Sequence, residues 1–215
     1  MKQKKIFLEG EGDSWFNRNH EELKKKDFSF DPVVISLKKI TEGFNKKINV
    51  LEVGCGDGGR LSYLRDELDI QVAGIDPSAK AVSHAHEKGI DCHVGTADNL
   101  PFDEKSFDVI VFGFCLYLCD QEDLFKIAFD ADKVLKGDGW IIINDFYSSG
   151  LYKAAYHHRE GVSTHKMDYS KMFLWHPEYS CFHHDIYHHD TNKFTDSARD
   201  WVGISVLRKS KNENA

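Results

Sequence analysis

Val50-Leu51-Glu52-Val53-Gly54-Cys55-Gly56-Asp57-Gly58-Gly59 is an apolar run that passes directly into a turn crowded with glycine. Ile48 to Val53 is rich in β-branched residues and reads as a buried parallel strand. Beyond the turn, Arg60, Leu61, Leu64, Arg65 and Leu68 recur at helical spacing. The chain therefore turns sharply between strand and helix. Glycine suits such a turn because it adopts backbone angles closed to other residues and lets a ligand approach the main chain. The helix that follows points its first amide groups at that ligand.

Two cofactor classes use such a turn. Gly54, Gly56 and Gly59 satisfy the dinucleotide pattern G-x-G-x-x-G, whereas Glu52 with Gly54, Gly56 and Gly58 reads E-x-G-x-G-x-G, the pattern of class I S-adenosylmethionine-dependent methyltransferases. The glycines alone do not separate these, nor do they exclude a tight connection that binds nothing.

The 215 residues suit one α/β domain with a sizeable core and leave no room for a separate catalytic domain. Asp and Glu total 35 against 28 Lys and Arg, a formal net charge of -7, which argues against nucleic acid and for a small-molecule substrate. The five cysteines are odd in number and contain no C-x-x-C pair, so free thiols in a reducing cytoplasm are expected. No apolar run reaches the roughly 18 residues of a membrane span, and a soluble, cytoplasmic protein with no membrane partner is expected.

Residues 1–31 alternate charge and aromatics and read as a helical lid ahead of a domain at 32–215. Trp15 and Phe16 are either a packing staple or part of a cofactor cover; Arg18 favours the cover, because a carboxylate-bearing cofactor calls for a guanidinium. Asp31-Pro32 opens a helix with Val33, Val34, Leu37 and Ile40 as its stripe. Gln71 to Ile75 is a second strand ending on Asp76, which lies 22 residues beyond Gly54, near the interval at which an acid reaches an adenosine ribose. Capping of the next helix falls to Asp76 or to Ser78. Cys92 to Gly95 reads as the third strand, Phe107 to Phe112 as the fourth. Asp120 to Lys136 is expected as a helix capped by Asp120 and Asp123, and Ile141 to Phe146 as the fifth strand. Strands and helices alternate, as in a doubly wound parallel sheet.

Past Phe146 the chain is rich in His and aromatics, and Asp200 to Arg208 reads as a last strand. Twelve histidines raise the question of a metal, but His184 and His188 are the most that spacing places on one strand face, and no metal site is assigned. The acceptor site is expected between Asp145 and the segment 156–168. His157 and His158 are candidate general bases with Asp145 beside them, and Arg159 and Lys166 are candidate holders of a substrate anion.

The order of motifs resembles class I methyltransferases: the glycine turn, Asp76, Asp98-Asn99-Leu100-Pro101-Phe102 before Ser106-Phe107-Asp108, and Leu135-Lys136-x-x-Gly139 before the fifth strand. The resemblance implies a Rossmann-like sheet of order 3-2-1-4-5-7-6 with the seventh strand antiparallel. It implies S-adenosylmethionine contacts at Glu52, Gly54, Cys55, Gly56 and Gly58, at Asp76 and Pro77, at Ala97, Asp98 and Asn99, and at Phe114 and Leu116, with Arg18 in the cover. The flanks, Trp15-Phe16-x-Arg18-Asn19, Tyr156 with Glu160, Lys166 and Asp168, and Tyr187-His188-x-Asp190, resemble pseudaminic-acid biosynthesis-associated methylases. They imply methyl transfer to an O or N atom of a sugar or sugar nucleotide in bacterial cell-surface glycan biosynthesis, with Tyr156 at the substrate. A nicotinamide-dependent oxidoreductase and a non-catalytic S-adenosylmethionine binder are the alternatives. The oligomeric state is not legible.

Overall fold

The computed structural model describes residues 2–42 and 47–210. In chain order these form α1 (Gln3–Ile6), a π-helical turn (Phe7–Glu11), α2 (Gly12–Leu23), α3 (Pro32–Thr41), β1 (Asn49–Val53), α4 (Gly59–Leu68), β2 (Gln71–Asp76), α5 (Ala79–Glu87), β3 (Asp91–Val94), β4 (Phe107–Gly113), α6 (Leu124–Val134), β5 (Leu135–Phe146), β6 (Tyr152–Ala155), β7 (Ser163–Lys166), α7 (Lys171–Leu174), β8 (Tyr179–His188) and β9 (Trp201–Lys209).

Seven strands make one sheet in the order β3-β2-β1-β4-β5-β9-β8. With β6 and β7 set apart as a hairpin, this is the 3-2-1-4-5-7-6 order. The first five strands are parallel, and β9 runs antiparallel to both its neighbours. β1, β2 and β4 return through α4, α5 and α6, whereas β3 joins β4 through residues 95–106 without a helix; helices lie on both faces and bury β1 and β4 on both sides. Val50, Val109, Val111 and Ile142 pack with α3 on one face. Leu51, Val53, Ile110 and Ile143 meet α6 and α7 on the other.

This register fixes where a ligand lies. The carboxyl ends of β1, β2, β4 and β5 share one edge, so Gly54, Asp76, Phe114 and Phe146 converge there. Because β8 and β5 both oppose β9, with His188 across from Trp201 and Phe146 across from Val202, the end of β8 reaches the same edge.

Two expectations change, and one element was not foreseen. The helix expected over 120–136 is a 3-10 turn at Gln121–Asp123 followed by α6, and Leu135 already pairs with Phe107. Neither Asp120 nor Asp123 caps with its side chain: Asp120 accepts from the Gln3 and Lys4 amides, and Asp123 pairs with Lys2 and Lys4. The long-range partners win because they bind charge and amides that local capping would leave unmet. The β6–β7 hairpin was hidden by a composition dominated by His and charge; its loop includes Gly161 at φ +78°.

Candidate active site

The glycine turn is held against β2 from below. The Gly54 and Cys55 amides both donate to the Ile75 carbonyl, at 2.8 and 3.2 Å. Gly54 is left-handed, and a β-carbon there would lie 2.5 Å from that of Cys115. Gly56 is left-handed too, but a β-carbon on it would meet nothing within 4 Å, so its bare Cα faces open space. Its amide donates to Asp76 Oδ2 at 2.9 Å, while Oδ1 accepts from the Ser78 amide at 2.8 Å. Ser78 caps α5 through the Ala81 amide. Gly58 departs from expectation: it sits against Ala85 and Ile90, away from the cavity, where its left-handed backbone and the lack of space above it set the residue.

Above this turn lies a cavity of about 940 Å³. Of the expected cofactor residues, Glu52, Gly54, Cys55, Gly56, Asp76, Pro77, Ala97, Asp98 and Phe114 line it. Leu116 does not: it is fully buried in the core with α6, and Leu118 reaches the wall instead. Asn99 is exposed beyond the rim, closing a turn back to the Thr96 carbonyl.

Under the turn, Arg60 is buried between Glu52 and Asp31, and Lys26 also pairs with Asp31. Burial opposes both carboxylates, but Asp31 has two cations and is held down at about 2. Glu52 shares its one guanidinium, and burial pushes it up to about 7. Its Oε2 is buried on the cavity wall with no hydrogen-bond partner among the described residues. Sequence spacing grouped Arg60 with the apolar face of α4, and the ion network was invisible because its partners lie on α3 and β1.

Asp76 is pushed up to about 6 by desolvation, against two amide donors. At the other end of the cavity Asp98 accepts from Lys4 and from Thr96 Oγ1, and these donors hold its carboxyl below the usual range despite its burial.

The N-terminal helices run across the cavity. Lys4, Phe7, Trp15, Asn19 and Leu23 line it. Trp15 and Phe16 divide the two roles between them: Trp15 faces the cavity, whereas Phe16 is 2% exposed and packs on His20 and His84. Asp13 fastens the helix to the start of α5 through Ser78 Oγ and the Lys80 amide. Arg18 does not line the cavity; its guanidinium binds Glu11 and the Tyr156 hydroxyl, bracing the cover from outside.

The remaining wall is aromatic. Phe114, at φ +53°, meets Phe146 edge-on at 5.5 Å, and Tyr117 meets Phe146 at 4.9 Å. Tyr156 and His158 line this mouth, as do His189 and Asp190, which the sequence reading did not assign. His157 and Arg159 are exposed on the turn leaving β6 and do not line it. Lys166 stands behind it, with Nζ 4.7 Å from the Phe146 ring centroid and donating to the Arg199 carbonyl. Asp145 departs from its expected role: it is buried off the cavity, and Oδ2 accepts from the Cys115 and Leu116 amides. Those bonds pin the chain leaving β4, and burial raises this carboxyl to about 7. Among the described residues no group of three or more His, Cys, Asp or Glu is arranged to hold a metal.

The cavity fits S-adenosylmethionine on its own chemistry. The orphaned Glu52 oxygen suits an ammonium, Asp76 suits paired hydroxyls, and open space over Gly56 admits a ligand against the main chain. The sheet order is that of a Rossmann-like methyltransferase fold. Residues 50–139 match the family model described as a methyltransferase domain. The chain is 34% identical over 122 residues to phosphoethanolamine N-methyltransferase 1 of Arabidopsis thaliana, covering 51% of this chain and 24% of that one. It is 31% identical over 101 residues to the fatty-acid O-methyltransferase of Mycolicibacterium smegmatis, covering 45% and 36%. In fold it is similar to the Burkholderia thailandensis 1,6-didemethyltoxoflavin-N1-methyltransferase, solved with 1,6-didemethyltoxoflavin and S-adenosylhomocysteine, with a TM-score of 0.66 at 16% identity over 92% of this chain and 86% of that one. The chain spans 24% to 30% of the length of the phosphoethanolamine methyltransferases that it first matches.

Proposed function

We propose that the chain transfers the methyl group of S-adenosylmethionine to a small-molecule acceptor at the aromatic mouth, and that the acceptor atom is an O or N of a sugar or sugar nucleotide. The observation that carries this reading is the cavity itself: its floor has the groups a methyl donor needs, and its outer wall is Phe114, Tyr117, Phe146 and Tyr156. Aromatic faces with a few polar groups at the rim suit a small organic acceptor. When bound, S-adenosylmethionine supplies an electrophilic methyl carbon on a sulfonium. The protein's part is positioning: Glu52 and Asp76 hold the two halves of the donor, and Trp15 with the N-terminal helices keeps water from it. Alignment of this kind is worth up to about 7 to 11 kcal/mol in favourable cases.

The relatives named for phosphoethanolamine and fatty acids supply a second reading of the acceptor, a phosphorylated amine or a lipid acid. Lys25 and Lys26 at the cavity wall, with Lys166 behind the mouth, provide cations for a phosphate in either case.

The test has two stages. Calorimetry with S-adenosylhomocysteine and with NADH is expected to show saturable binding of the first only; the reverse result would replace this reading with an oxidoreductase. Release of S-adenosylhomocysteine is then followed over UDP-sugars, phosphoethanolamine and a fatty acid. Turnover on a UDP-sugar supports the sugar reading, turnover on another compound replaces it, and binding without turnover on all three classes favours a non-catalytic binder.

A further inference from the structure

We infer that His189, oriented by Asp190, is the group that receives the acceptor's proton. This rests on the methyl-transfer reading above. His189 follows β8, whose end lies on the same sheet edge as Phe146, and its ring lines the mouth of the cavity. Two rings fix its plane: Phe146 stacks on it at 5.2 Å and 29°, and Phe114 meets it edge-on at 5.6 Å. Its backbone amide is tied to the Asp200 carbonyl at 2.9 Å.

The carboxylate completes the arrangement. His189 Nδ1 lies 2.9 Å from Asp190 Oδ1. A carboxylate only accepts, so the hydrogen sits on Nδ1 and neutral Nε2 carries the lone pair. A base needs that tautomer held in place, as in other sites where a carboxylate orients a histidine. His158 lines the same mouth but is held otherwise, edge-on to Tyr156 at 5.3 Å.

The step balances without another reactant. As the acceptor's lone pair bonds to the methyl carbon, the carbon–sulfur pair stays on sulfur and the acceptor's O–H or N–H proton passes to Nε2. The imidazolium then gives the proton to water, to which the His189 side chain is 44% exposed. An alcohol gives up its proton as it is methylated to a neutral ether, and an ammonium must give one up before its nitrogen has a lone pair to attack with, yielding a methylammonium, so one histidine serves either acceptor.

Three measurements test it. Calorimetry of the parent with S-adenosylhomocysteine comes first, and absence of binding there brings down the donor-site reading rather than this one. Given binding, ring NMR of histidine-labelled protein saturated with S-adenosylhomocysteine needs no acceptor. His189 is expected as the Nδ1–H tautomer in the parent and as a mixture in Asp190→Asn. An Nε2–H ring in the parent, or an Asp190→Asn spectrum identical to it, would overturn the dyad. Methyl transfer to phosphoethanolamine and to a UDP-sugar is then expected to fall about 10²-fold or more in kcat in His189→Gln, with KM and S-adenosylhomocysteine affinity held. Asp190→Asn should lose less, and His158→Ala should also lose less than His189→Gln. Parental kcat in His189→Gln ends the proposal, as does a larger loss in His158→Ala; where neither compound is methylated by the parent, the tautomer measurement decides.

Discussion

Asp76 holds a turn together while facing the cavity. Its two oxygens fasten the Gly56 and Ser78 amides, and it remains on the cavity wall. Asp76→Asn keeps the shape and removes the charge, so S-adenosylhomocysteine affinity is expected to fall about tenfold, the equivalent of one charge-assisted hydrogen bond, with the fold retained. Unchanged affinity in calorimetry would confine Asp76 to holding the turn. Gly56→Val should be more severe, since it adds a branched side chain at φ +54° over the donor floor. That such residues would stand together at the strand ends was legible in the sequence because it follows from local spacing. Lys4 on Asp98, Arg60 between two carboxylates and His189 at the mouth were not, because each partner arrives from a distant element.

At the scale of the element, α2 separates cover from core within two residues. Trp15→Ala is expected to weaken S-adenosylhomocysteine binding in calorimetry and leave the ligand-free melting temperature close to the parent, because its ring lines the cavity. Phe16→Ala should do the reverse: it empties a buried site against His20 and His84, at a cost of about 3 to 5 kcal/mol. Melting curves and calorimetry on the pair separate the two faces, and equal loss of stability in both would remove the distinction. The helical alternation of Trp15 and Phe16 was visible in the sequence, but which ring faced the ligand was not. That depended on Asp13 locking the helix onto α5. The hairpin β6–β7 and the division of 120–136 were missed for a related reason: propensity alone does not record that Asp120 binds residues 3 and 4.

For the whole molecule, three buried or half-buried carboxylates set the response to pH. Glu52 and Asp145 titrate at about 7 and Asp76 at about 6 in the folded chain, against about 4 when unfolded. Between those values the folded state keeps protons that the unfolded state has released, so stability falls as pH rises from about 4 to 7 and levels off above. Asp31, held at about 2, works in the opposite sense and withdraws its contribution only on going below about 4. The ligand-free protein is therefore expected to melt higher at pH 5.5 than at pH 8. Calorimetric scans at the two values check it, and a higher midpoint at pH 8 would contradict it. Asp145→Asn should flatten the slope. The doubly wound parallel sheet was legible from the alternation of elements, whereas the strand order that places these carboxylates at one edge came from the resemblance to class I methyltransferases.

The position of β9 governs the order in which the molecule can be assembled. It is the last described strand in the chain, yet it lies between β5 and β8 and touches both. During synthesis β8 therefore emerges with no neighbour in the sheet to pair with, and it waits for residues 201–209 to fill the gap. The donor floor needs only β1, β2 and β4, which are complete long before. A growing chain thus acquires the floor of the cavity first and its His189 wall last, when the final strand is inserted.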